Sequence, residues 1–478
     1  MRFKWKKSFR LITTCSVVFI ILYRLSNNNR KQLFELYYKE DFNLLHNVRV
    51  RYSRLNVSKL ITYTDNTKTL DDMFLNVTST CEGTLFPSHL SRKESWRAVN
   101  RNSTAYVFAA YLVDTKNEIV IVGIKDGRAS DYYCQFWKRN FGNQNLKMEE
   151  KTARVIILPE GHSHRYTAVL FQCKVSPSME LPTHVSIVDR SCETPMNLLD
   201  IQILGKSSAF KHRFTVCLTP LNFRYNRAYE IIEWIELNRL LGADKFIVYN
   251  YSSAINLAHV LEYYSKRGLT EVVQWNLPVG VDTWPREYKP VEIHYFGQIA
   301  ALHDCLYRNK GVSEFIVNLD VDEFIIPHGE NVTSWTEMLT QLKHDSKVYI
   351  FRNTFFKKEW SNAGIEIQNK SLVDKLQLVT LQKLQHETQI SPPNQRSKYF
   401  AKSAEVSKVM IHGVPGVSHL VVPIEIGLVH HYRDWETRND PPNVKVLDRT
   451  VPQKFGQLLI KKVKTVRVEL NASAYSIQ

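Results

Sequence analysis

Asp320 and Asp322 stand one residue apart, between an apolar run at 315–319 and the apolar Phe324, Ile325 and Ile326, with Glu323 directly after them. Two carboxylates at x and x+2 beyond a strand can share one divalent cation, one directly and the other through water. An all-oxygen donor set favours manganese or magnesium over zinc. A cation held there can bridge the phosphates of a nucleotide sugar and stabilise the departing diphosphate. A solvated acidic turn has the same spelling, so the surrounding elements decide between the two.

Those elements alternate. FTVCLTP (214–220) reads as a buried strand, and AYEIIEWIELNRLLG as a helix with a broad apolar face that stops at Gly242. KFIVYN (245–250) is a strand, a helix over about 256–267 ends at Gly268, and TEVVQW (270–275) is a third strand. A long helix over 292–309 follows, and EFIVNL (314–319) runs straight into Asp320. Strands separated by helices of this length imply right-handed crossovers and a mainly parallel sheet. In such sheets ligands sit beyond the carboxyl ends of the strands, where the acidic pair falls.

The order of several motifs is more specific than the acidic pair. FGQIAALHDCLYRNKGVSEFIVNLDVDEFIIP (296–327) resembles the core signature of glycosyltransferase family 92. VCLTPLNF and EWIELNRLLGADKFIVYNYS resemble the family's opening pattern, and VHHYRD its closing one. The resemblance covers about residues 210–450. It implies a GT-A, Rossmann-like fold and inverting transfer, typically of galactose from UDP-galactose onto a glycan acceptor. On that analogy Asp320 and Asp322 hold Mn2+ (or Mg2+) and the diphosphate. His431 supplies a late metal or phosphate contact, with His430 beside it, or is a buried hydrogen-bonded imidazole. Arg433 grips a phosphate through its fork or makes a structural ion pair.

Tyr249 and Asn250 end the second strand and are placed to face the base or ribose. A glycan on the Asn250 sequon would block that cleft, so Asn250 is expected to be unmodified. Gln298 and Asp304, six apart on the long helix, do not share one face; one meets the donor sugar and the other braces the fold, or both are structural. An inverting transfer needs a base, for which Glu323, Glu425 and Asp434 are the candidates. Glu323, as a strand-like neighbour of Asp322, is expected to face away from the metal. A glycan-binding or scaffold protein without turnover is the alternative, and a glycoside hydrolase fits less well, because its two carboxylates must flank a sugar.

The chain has 478 residues, enough for about two domains, and 44% of them are hydrophobic, which supports substantial cores. Its formal charge is +16, but eight cations and no acid lie within residues 1–31, so the remainder carries +8 without a long basic run. That pattern gives no positive reason for a nucleic-acid partner, and none is expected. LITTCSVVFIILY (11–23) is uncharged and preceded by five cations. Thirteen residues span only about 20 Å, so snorkelling by Arg10 and Arg24 must extend the reach. The expected layout is a cytoplasmic tail (1–8), a type II signal anchor (9–25), a stem (26–80), a β-rich module (81–205), the GT-A domain (210–450) and a tail (451–478), helical or strand-like. A short anchor favours a thin membrane, which points to the Golgi, with the endoplasmic reticulum second. Sequons at Asn56, Asn76, Asn102, Asn250, Asn331, Asn369 and Asn471, and six cysteines beyond the anchor, agree with a lumenal body.

Overall fold

The computed structural model describes residues 81, 84, 86–90, 94–113, 117–128, 130–139, 146–176, 181–203, 209–283, 289–434 and 445–472. The expected tail, anchor and stem (1–8, 9–25 and 26–80) lie outside these residues. Among the described residues no helix is long and apolar enough to cross a membrane.

β-Branched and aromatic runs alternating in and out give the first sheet. Its strands are β1 (Arg97–Ala98), β2 (Ala105–Val113), β3 (Glu118–Asp126), β4 (Tyr133–Arg139), β5 (Leu146–Thr152), β6 (Arg154–Ile157), β7 (Tyr166–Lys174), β8 (His184–Val188) and β9 (Leu199–Gln202). They run in the order β5-β4-β8-β9-β2-β3-β7-β6, with β1 on β2. The period of two sorts side chains between two cores. Ile119 and Ile121 pack with Phe136, Phe171 and Cys173, whereas Val120, Val122 and Ile124 pack against the second half of the chain.

That half is built on β10 (His212–Leu221), β11 (Lys245–Asn250), β12 (Thr270–Gln274) and β13 (Ser313–Leu319). These four are mutually parallel, in the order β12-β11-β10-β13. Helices α1 (Ala228–Leu241), α2 (Ile255–Lys266) and α3 (Gln298–Asn309) make the crossovers. Gly242, at φ 114°, closes α1 in the left-handed conformation that glycine adopts without penalty. The long helix expected over 292–309 starts only at Gln298. Tyr295 and Phe296 take positive φ (35° and 55°), which breaks the α-helix into a preceding 3-10 turn, His294–Gly297.

The sheet turns antiparallel beyond β13. β14 (Glu323–Pro327), α4 (Trp335–Thr340), β15 (Val348–Phe351), β16 (Asn353–Lys357), α5 (Lys370–Leu376), α6 (Val379–Gln382), β17 (Gln385–Glu387), β18 (Lys398–Lys402), β19 (Leu420–Val421), β20 (Gly427–Arg433), β21 (Lys445–Leu447) and α7 (Thr450–Ala472) complete the chain. β18, β15 and β19 extend the parallel core, while β14-β20-β16-β17-β21 form a separate five-stranded sheet. The polar stretch SPPNQRSKYF (391–400) ends in the first residues of β18. The described part of the tail, 451–472, is a helix: Val451, Phe455, Leu459, Val463, Val466 and Leu470 are buried along one stripe of α7, in the core that also holds Ile231, Trp234 and Ile235 of α1.

The six cysteines form three disulfides, Cys81–Cys192, Cys134–Cys173 and Cys217–Cys305. The last pins α3 to β10.

Candidate active site

β10 and β13 are in parallel register, with Leu218 opposite Leu319. The next residue of each strand therefore meets its neighbour: Thr219 Oγ1 donates to Asp320 Oδ1 at 2.6 Å. The chain then turns rather than continuing as strand, since the Glu323 N–H donates to Asp320 O at 3.2 Å. The turn, and not strand alternation, sets where Glu323 points. Its carboxylate curls back under the turn, accepts the Asp320 N–H at 3.0 Å, and is 1% exposed.

Three further elements close around the turn. β14 pairs with β20 so that Glu323 lies opposite His431. His431 Nε2 is 3.3 Å from Asp322 Oδ2, and its Nδ1 is 3.3 Å from Glu323 Oε1. The Tyr432 N–H donates to Asp322 O at 2.8 Å. From β16, Asn353 Nδ2 lies 3.3 Å from His431 Nδ1. From β18, Lys398 Nζ reaches both Asp320 Oδ2 (2.9 Å) and Glu323 Oε2 (2.7 Å) while being 1% exposed itself.

The electrostatics follow from this packing. Burial alone would raise Asp320, but the Lys398 ammonium and the Thr219 hydrogen bond hold it well below the usual carboxylate range. Burial likewise opposes ionisation of Asp322, and the His431 imidazole overrides it and lowers the group. Burial would lower His431; the Glu323 and Asp322 carboxylates raise it instead. Burial also dominates at Glu323 and raises it, with Lys398 pulling the other way. Asp320 and Asp322 keep contact with solvent, 32% and 27% exposed, so the ionised pair faces outward over a buried base.

This donor set fits a divalent cation. Asp322 Oδ2 and His431 Nε2 already stand at the separation of two ligands on one ion. A His431 Nδ1–H shared with Glu323 leaves Nε2 free to ligate, the carboxylate–histidine arrangement common behind metal ligands. Asp320 has each oxygen engaged, by Thr219 and by Lys398, which suits contact through water.

The other sequence candidates divide. Arg433 ends β20 half-buried; its charge and those of Asp320 and Asp322 are all felt at the Tyr295 hydroxyl, which is pushed up first by burial and then by the two carboxylates. Asp434, one residue on, is exposed. Glu425 lies in the turn that precedes β20, at the end of the strand opposite His431; the structure removes it from the site. Glu323 is too buried to meet an acceptor. Asn250 ends β11, two strands from β13 and thus about 10 Å from Asp320 across the sheet. Its Oδ1 is buried, and among the described residues it has no hydrogen-bond partner.

Tyr249 points to the opposite face, as strand alternation requires, and donates to Asp304 Oδ2 at 2.7 Å. Asp304 is fully buried and also accepts from Tyr111 Oη (2.6 Å) and Arg308 Nη2 (3.0 Å). These two residues brace the fold and do not join the acidic turn. Gln298 opens α3, 4% exposed. His430 faces away from Asp322.

Thr219, Asn353 and Lys398 are site residues that the sequence reading did not single out. Thr219 lies inside a quoted motif with nothing to mark it. Lys398 follows a proline-rich polar stretch, and only the Tyr399-Phe400-Ala401 run after it signals a strand.

Comparison with known proteins places these residues in a family. The model of glycosyltransferase family 92 matches residues 212–471, past the limit at 450 read from the motifs and through α7. The beta-1,4-galactosyltransferase galt-1 of Caenorhabditis elegans is 25% identical over 233 residues, 47% of this chain and 51% of that protein. The glycosyltransferase family 92 protein F13G3.3 of the same organism is 24% identical over 224 residues, 46% of this chain and 42% of that protein. The chain thus matches about half the length of these curated relatives. Among solved structures, glucosyl-3-phosphoglycerate synthase from Mycobacterium tuberculosis with Mn2+, UDP and glucosyl-3-phosphoglycerate is 14% identical, with a TM-score of 0.22 over 54% of this chain and 79% of that one. With more than half of its length matched by the family's model, this chain belongs to glycosyltransferase family 92.

Proposed function

We propose that this chain is a metal-dependent inverting glycosyltransferase that moves galactose from UDP-galactose onto a glycan acceptor in the secretory pathway. The observation that carries the reading is the convergence of Asp322 and His431 beside Asp320 at the mouth of a parallel sheet. Asp322 and His431 would hold Mn2+ (or Mg2+), with Asp320 contacting it through water. A cation held there supplies charge that stabilises the departing UDP.

The protein's own groups do the rest. Lys398 and Thr219 fix Asp320 as an anion, and Glu323 orients His431. Asn250 Oδ1, an acceptor with no donor among the described residues, suits the N–H of a uracil, and the span from Asn250 to Asp320 is one that a nucleoside diphosphate can bridge. Arg433 stands at the mouth to take a phosphate. Asp434 is the exposed carboxylate beside it, while burial and position exclude Glu323 and Glu425 as the base.

The test is UDP release by the purified chain from a panel of UDP-sugars, with and without manganese. UDP-galactose is expected to be turned over only with the metal, and Asp322→Ala to lose at least about a hundredfold in kcat while keeping its circular dichroism. Full activity of D322A, or no UDP release from any donor, would sink the reading; the second result would favour a binding protein of the same fold.

The secretory placement draws on the three disulfides and on the sequons. Asn102, Asn331, Asn369 and Asn471 are exposed, whereas Asn250 is only partly so and its Oδ1 is buried. Residues 9–25 would anchor the chain in the Golgi membrane. Glycopeptide mapping of the protein from a eukaryotic host should find glycans at some of the four exposed sites and none at Asn250. An unglycosylated chain, or occupancy at Asn250, counts against the placement or the cleft respectively.

A further inference from the structure

His328, His430 and Asp448 meet on the side of β20 opposite His431. Consecutive strand residues point to opposite faces, so the pair His430-His431 serves two clusters. His328 Nε2 lies 2.8 Å from His430 Nε2. Asp448 Oδ2 lies 3.4 Å from His430 Nε2 and 3.8 Å from His328 Nε2. Ligand atoms each about 2.0–2.2 Å from a tetrahedral zinc stand about 3.3–3.5 Å apart, and the three edges bracket that value.

A hydrogen-bonded triad accounts for the cluster less well. One N–H shared between the two Nε2 atoms satisfies the imidazoles, but it leaves Asp448 Oδ2 beyond the about 2.7–2.9 Å of a charge-assisted hydrogen bond. The carboxylate is held in that pose from behind, because the Thr450 N–H donates to its Oδ1 at 2.7 Å. The surroundings are shielded: His430 is 1% exposed, and the Phe356 ring stacks on it at 4.5 Å and packs on His386 at 5.2 Å. Two imidazoles and one carboxylate are borderline ligands suited to zinc, unlike the oxygen-rich set at the acidic turn.

We propose that His328, His430 and Asp448 bind a zinc ion, with water in the fourth position. The ion would tie together three segments distant in sequence: the end of β14, the middle of β20, and the link from β21 into α7. β14 and β20 carry Glu323 and His431, so it would also fix the register of the strand pair behind the acidic turn. The inference stands whether or not the chain transfers a sugar.

The test uses the untagged full chain, His328→Gln, Asp448→Asn, and Asp322→Ala as a control for the acidic turn. Zinc content after exhaustive dialysis and cobalt(II) titration are the readouts. The wild type and D322A are expected to retain one equivalent of zinc and to show tetrahedral ligand-field bands with cobalt. H328Q and D448N are expected to bind at least tenfold more weakly, with a lower thermal midpoint that added zinc no longer raises. Zinc absent from the wild type together with no cobalt bands, or equal binding in H328Q and D448N, overturns the proposal; loss of zinc in D322A alone would assign the ion to the other site.

Discussion

At Lys398 one ammonium faces two carboxylates from within the protein, and the balance of the acidic turn depends on it. Burying a cation is unfavourable unless its partners are equally fixed, and here Asp320 and Glu323 both are. Replacing Lys398 with Met would keep the stem's packing and deprive Glu323, 1% exposed, of the ammonium it now shares with Asp320. Asp320, about a third exposed, can recover part of its hydration, so the loss belongs at the low end of the range for broken buried pairs, about 3 kcal/mol. K398M is therefore expected to melt several degrees below the wild type. An unchanged midpoint in a thermal scan would show that the ion pair does not form. Nothing in the sequence announces this lysine, because its charge balance joins two segments far apart in the chain. Asp320 and Asp322 were legible because strand and turn place them locally. Lys398 was not.

At the scale of elements, α1, α6 and α7 meet over one face of the parallel sheet, and Glu233 marks their junction. From α1 it accepts the backbone N–H groups of Val379 (2.9 Å) and Thr380 (2.8 Å) at the start of α6, and the Thr380 hydroxyl at 2.7 Å. Burial pushes this carboxyl up from 4.5 to about 7, against those three hydrogen bonds. A folded-state value above the unfolded one means that the folded chain holds the proton more tightly. That stabilisation is complete below about pH 4.5 and is lost as pH rises through about 7, an effect on the order of 3 kcal/mol. Urea midpoints at pH 5 and pH 8 should thus differ less in Glu233→Gln than in the wild type. A difference of the same size in both would place the pH dependence elsewhere.

The elements themselves were largely legible. The expected KFIVYN strand coincides with β11, and those at 214–220, 270–275 and 314–319 fall within two residues of β10, β12 and β13, because continuous apolar runs between turn residues leave little freedom. The start of α3 was misplaced by six residues because positive φ at Tyr295 and Phe296 is set by tertiary packing, with Phe296 against Tyr251 and Phe223. The antiparallel half was poorly legible, since short strands such as β17 and β19 carry no periodicity of their own.

At the scale of the whole molecule, the nine-stranded sheet and the α/β half share one apolar cluster, in which Phe108, Tyr111 and Val120 pack with Tyr249, Trp275 and Ile299. The buried Asp304 lies at this seam, holding Tyr111 from one half and Tyr249 and Arg308 from its own. Arg308 in turn reaches Glu271 and Glu94. The sequence pattern suggested a β-rich module followed by a GT-A domain; the seam predicts that the two unfold together. Tyr111→Phe removes one hydrogen bond to a buried anion, worth about 1.5–3 kcal/mol, and Arg308→Met removes the countercharge, worth about 3–5 kcal/mol. Both act on the same carboxylate, so their combined effect should depart from the sum of the two by more than about 0.5 kcal/mol. A single calorimetric transition, shifted by each variant, is the expected result. Two transitions, with Y111F moving only one of them, would mean that the β-rich sheet is an independent domain and that Asp304 does not couple it to the half carrying the acidic turn.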